Sequence, residues 1–99
     1  MTDLLTDDQI THALRDLPGW QPRPGSLVRD VTAPDFLAGI ALVGDVAQAA
    51  EQMNHHPDID IRWTTVTFSL TTHARGGVTD NDVELARRIS EIVDQRFGD

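Results

Sequence analysis

Two short blocks hold three of this chain's four histidines: Glu51-Gln52-Met53-Asn54-His55-His56-Pro57 and Leu70-Thr71-Thr72-His73. Imidazole is the side chain whose ordinary pKa lets it take and give protons near neutral pH. Trp63 lies between the blocks, and Asp82 follows them. In a chain with no cysteine, this concentration points to general acid–base chemistry.

Each of these residues also has a plainer role. Adjacent side chains on irregular backbone diverge, so His55-His56 is a poor chelating pair; a two-histidine zinc site on a helix uses spacing such as i, i+4. Alone, the pair fits a polar loop after a helix, shaped by Pro57, which pushes His56 out of the α region. Glu51 stands one turn before His55, where its carboxylate either orients that imidazole or is simply solvated. His73 ends a strand on its threonine-rich face, where a lone histidine is ordinarily half-exposed. Asp82 is the third residue after Thr79, close to a capping box, and an acid there complements the helix dipole. That role leaves room for a second, site-facing one. Trp20 and Trp63 suit a core or a sheet edge, although a tryptophan beside a cleft also stacks on planar ligands. His12 has no companion and reads as surface.

The elements that must position these residues follow from periodicity. Thr6-Asp7-Asp8-Gln9 is a capping-box pattern, and Ile10, Ala13, Leu14 and Leu17 continue it as a helix that stops at Pro18-Gly19. Residues 20–24 and 27–31 form two short strands around Gly25-Ser26, the first at an edge because of Pro22. Thr32-Ala33-Pro34-Asp35 opens a long helix that ends near Asn54. Phe36, Ile40, Val43, Ala47 and Ala50 mark its expected inner face, widened by Leu37, Ala41 and Val46. Gly44 inside it costs about 1 kcal/mol against alanine. Residues 59–63 and 65–72 read as strands. In the second, Val66, Phe68 and Leu70 share one face, and parity puts His73 with the threonines on the other. Thr79-Asp80-Asn81-Asp82 opens the last helix, with Val83, Ala86, Ile89 or Ile92, Val93 and Phe97 inward. The order αββαββα predicts a two-layer α+β sandwich, with helices on one face of a four-stranded antiparallel sheet.

Ninety-nine residues make one domain with a modest core, so association would help its stability. Sixteen acidic residues against eight basic ones give a net charge of −8. That excludes a phosphate-binding nucleic-acid surface and an anionic membrane surface. The absence of cysteine excludes disulfides, thiolate catalysis and sulfur metal sites. No apolar run approaches the ~18 residues of a membrane span. The start lacks a basic-then-apolar signal pattern, so a cytoplasmic protein is expected.

The spacings taken together resemble the pterin-4a-carbinolamine dehydratases. Glu51, three residues, His55-His56-Pro57, then Trp63, then His73 after Thr71-Thr72, then Asp82 within Gly77-Val78-Thr79-Asp80-Asn81-Asp82 match that family's pattern over nearly the whole chain. Leu14-Arg15-Asp16-Leu17-Pro18-Gly19-Trp20 is similar to its leading helix and Gly-Trp. Thr64-Thr65 departs from the Asn-Lys or Gly-Lys that many members carry after the aromatic, and Gly44-Asp45 departs mid-helix. The resemblance implies dehydration of a 4a-hydroxytetrahydropterin, the product of aromatic amino acid hydroxylases, to the quinonoid dihydropterin. It implies no metal or redox cofactor. It assigns His55 and His73 as the acid–base pair, in either order, and His56 to binding and orienting the pterin. Glu51 and Asp82 orient or polarise the histidines, and Trp20 lines the pocket. At least a dimer, a homodimer or homotetramer, is expected, with an uncovered sheet edge as one physical route. A second class of function is a binding module on the same fold, a dimerisation partner of transcription regulators or an assembly chaperone. The histidine set discriminates against a purely non-catalytic relative. A metal-dependent hydrolase would want three or four convergent ligands, which His55-His56 supplies poorly.

Overall fold

The computed structural model describes residues 3–98. Helix α1 (Asp7–Leu14) starts where expected: Thr6 Oγ1 accepts from the Gln9 N–H at 3.1 Å, and Gln9 Oε1 accepts from the Thr6 N–H at 2.8 Å. Strands β1 (Gln21–Arg23) and β2 (Ser26–Thr32) flank the Pro24-Gly25 turn. Helix α2 (Phe36–Met53) is capped by Asp35, whose carboxylate accepts from the Ala38 N–H at 2.8 Å. Strands β3 (Asp58–Arg62) and β4 (Thr65–Leu70), a 3-10 turn η1 (His73–Arg75) and helix α3 (Asp80–Phe97) complete the order αββαββα.

The sheet order is β1-β2-β4-β3, antiparallel throughout, so β1 and β3 are edges. Pro22 sits on an edge strand, where its missing N–H costs no ladder bond. The core face of β4 is Val66, Phe68 and Leu70, all buried, against Leu42 and Val46 of α2 and Leu85, Ala86 and Ile89 of α3. Thr65, Thr67 and Ser69 alternate onto the other face. The expected α+β sandwich is the observed fold.

Helix α1 ends at Leu14, short of the expected stop at Pro18-Gly19, and residues 15 and 16 follow it as turns. Two further elements differ from expectation. The buried side of α2 is Gly39, Leu42, Val46, Ala49 and Ala50, whereas Phe36, Leu37, Ile40 and Ala47 are exposed. Residues 36–43 are apolar nearly all round, so their period selects no single face. Close approach to β4 selects it instead: a Cβ on Gly39 would stand 3.4 Å from Val66 Cγ2 and 3.6 Å from the Ala33 Cβ. The second difference is at the end of β4. The strand stops at Leu70, and His73 begins η1. The parity argument that grouped His73 with the strand threonines therefore does not reach it.

Candidate active site

The first histidine block lies where α2 ends. Asn54 caps the helix in the left-handed region, φ 51° and ψ 44°, a conformation asparagine tolerates better than most residues. The His55 N–H returns to the Ala50 carbonyl at 3.0 Å, and the chain then leaves the helix axis. That exit corrects the expected partnership of Glu51. Helical i, i+4 register is lost at Asn54, so Glu51 Oε2 meets His56 Nε2, at 2.5 Å, and not His55. Both partners of this pair are exposed, at 55% for His56 and 75% for Glu51.

His55 turns inward to the first turn of α3. Its Nε2 lies 2.6 Å from Asp82 Oδ1, with the imidazole 11% exposed and Asp82 fully buried. The other oxygen of Asp82, Oδ2, accepts from the Thr79 backbone N–H at 2.9 Å and from the Thr72 hydroxyl at 2.9 Å. Asp82 thus makes the capping contact and also holds a histidine, one oxygen for each. Ionised, it is an acceptor only, so the His55 nitrogen facing it carries the proton and Nδ1 stays free to exchange one. A buried carboxylate with three donors is satisfied, and among the described residues no buried side-chain polar atom lacks a partner.

The second block meets the first through Thr72. Its hydroxyl touches Asp82, and the next residue is His73, exposed on η1. The topology therefore sets His73 one residue from the network that holds His55. Neither Thr72 nor the hydroxyl of Thr79, 2.7 Å from it, stands out in the sequence as a site residue. A threonine beside a strand end has too many other roles to signal this one.

Trp20 is placed differently from the expectation that it lines a pocket. It is 5% exposed in the core, and its indole N–H donates to Ser90 Oγ at 3.0 Å. Trp63, by contrast, is 79% exposed at the tip of the β3–β4 hairpin with φ 55°. His12 is on the surface. No group of three or more histidine, aspartate or glutamate side chains among the described residues is arranged to hold a metal ion. A cavity of about 320 Å³ opens elsewhere, lined by Leu4, Ile10, Pro22, Arg23 and Val78, with none of the histidines in its wall.

A helix-capping carboxylate holding a histidine where α2 meets α3 marks this αββαββα sandwich as a small α+β protein. Residues 3–92 match the family model of pterin 4 alpha carbinolamine dehydratase, and the chain belongs to that family. Its relatives include proteins named "Putative pterin-4-alpha-carbinolamine dehydratase". That of Nocardia farcinica is 56% identical over 93% of this chain and 97% of its own length. That of Mycobacterium avium is 57% identical over 91% and 96%. The crystal structure of a transcriptional coactivator/pterin dehydratase from Brucella melitensis has a TM-score of 0.88 at 32% identity, covering 91% of this chain and 98% of that one. A pterin dehydratase-like protein described as a RuBisCO assembly factor in the alpha-carboxysome shares the fold, with a TM-score of 0.60 at 20% identity over 74% and 84%. No helix among the described residues is long and apolar enough to cross a membrane.

Proposed function

We propose that this chain dehydrates a 4a-hydroxytetrahydropterin to the quinonoid dihydropterin, returning pterin to use after aromatic hydroxylation. The C4a–O bond breaks as the N5 lone pair forms the C4a=N5 bond. The departing hydroxyl takes a proton from an acid and leaves as water; the N5 proton goes to a base. His55 and His73 fill these two roles, each typically worth 10²–10⁴-fold. The observation that carries the reading is the contact of His55 Nε2 with buried Asp82, which leaves His55 Nδ1 for the substrate. His56, exposed and paired with Glu51, binds and orients the pterin. No step calls on a metal or redox cofactor. The reaction would run in the cytoplasm, with small pterins as the only partner the chemistry needs.

A second copy of the chain is the proposed partner for the apolar residues that α2 leaves in solvent: Leu37 is 77% exposed, Phe36 45% and Ile40 41%. The same surface favours a second reading, a docking role of the kind that the coactivator description of the Brucella melitensis protein implies. Stopped-flow dehydration separates the two. Wild-type protein should accelerate loss of the 4a-hydroxypterin, His55→Ala and His73→Ala should each lose at least ~10²-fold in kcat, and His56→Ala should mainly raise KM. Wild-type protein that does not accelerate the loss would leave only the docking role, whereas activity that survives both His55→Ala and His73→Ala would remove the two histidines from the mechanism.

A further inference from the structure

We infer that Thr72 is a positioning residue for this reaction: through Asp82 it holds His55 in one tautomer and one orientation. The inference rests on the dehydratase reading of the same site.

Thr72 begins as an anomaly of helix capping. It is the N-cap of η1, and threonine there ordinarily turns its hydroxyl onto the backbone of the turn. Here the hydroxyl makes no such bond. It points to Asp82 Oδ2 at 2.9 Å and to Thr79 Oγ1 at 2.7 Å. Proton counting gives these contacts a direction. The Asn81 N–H can only donate, and it does so to Thr79 Oγ1 at 3.2 Å. Thr72 has one proton, which goes to the carboxylate, so the proton between the two hydroxyls is that of Thr79. The chain runs from Asn81 through Thr79 and Thr72 to Asp82, whose Oδ1 is left facing His55 Nε2. Chains of this kind polarise one another, and the last acceptor is turned firmly toward its partner.

The backbone of Thr72 has a second task. Its carbonyl accepts from the Arg75 N–H at 3.0 Å and the Gly76 N–H at 2.9 Å, closing the turn that carries His73. One residue thus fastens the carboxylate behind one histidine and the turn under the other.

Thr72→Val separates these tasks. Valine keeps the shape and suits the extended backbone at φ −102°, ψ 96°, while the carbonyl bonds of η1 remain. Only the hydroxyl is lost, and Asp82 Oδ2 keeps the Thr79 N–H alone. We expect kcat to fall ~10- to 100-fold with KM unchanged. Wild-type protein should show a low-field His55 Nε2–H resonance that broadens or vanishes in Thr72→Val, and Thr72→Ser should restore both the resonance and kcat. Thr72→Ala serves if the valine variant does not fold. A folded Thr72→Val protein with wild-type kcat, or with the resonance intact, overturns the inference. Wild-type protein without dehydratase activity overturns the functional reading instead, and the resonance then decides whether Thr72 holds His55.

Discussion

Asp82 divides its two oxygens between a helix start and a histidine, and the division can be tested at one atom. In Asp82→Asn the Thr79 N–H and the Thr72 hydroxyl still need an acceptor, so the amide oxygen stays with them and the NH2 faces His55. His55 Nε2 must then accept, and the ring proton moves to Nδ1, the nitrogen the mechanism needs free. The cap survives, so stability should change by at most ~1 kcal/mol. The ratio kcat/KM should fall more than ~10-fold. Wild-type kinetics across pH in a stably folded Asp82→Asn protein would reduce Asp82 to a capping residue. The sequence pattern Thr79-x-x-Asp82 suggests the cap, and only the family resemblance suggests the site-facing job. The pattern does not indicate the partner, because nothing local says that the end of α2 abuts the start of α3. Glu51 looked like the partner of His55 for the opposite reason: the local spacing was right, and only the left-handed turn at Asn54 breaks it.

At the scale of elements, what was legible followed local rules. The cap of α1, the edge position of Pro22 and the alternation of β4 are set by residues within a few positions of one another. The inner face of α2 was not legible, because an apolar helix is oriented by what it packs on. Gly39 is the contact that decides it, and substitutions there read the packing directly. Gly39→Ala adds an ordinary contact with Val66 and removes a helical glycine, so we expect a gain of about 0.5–1 kcal/mol in thermal or denaturant unfolding. Gly39→Leu overfills the same space and should cost about 1–3 kcal/mol. A leucine variant as stable as wild type would mean that this side of α2 is not pressed against the sheet.

The whole molecule leaves Leu37, Phe36 and Ile40 of α2 in solvent, together with Trp63. A small domain has little surface on which to leave large apolar side chains unused, and covering them with a second copy adds stability by mass action. Sedimentation of the wild type should therefore give at least a dimer at micromolar concentration, and Leu37→Asp should shift it toward monomer. A wild type that sediments as a monomer would remove the second copy from the account.

Whether the two histidine blocks act on one pterin can be read from titration with a 7,8-dihydropterin, followed by the imidazole resonances. His55, His56 and His73 should shift together along one saturating curve while His12 stays still. Binding that instead perturbs the residues around Leu4, Ile10 and Val78, with His55 and His73 unmoved, would contradict a shared site.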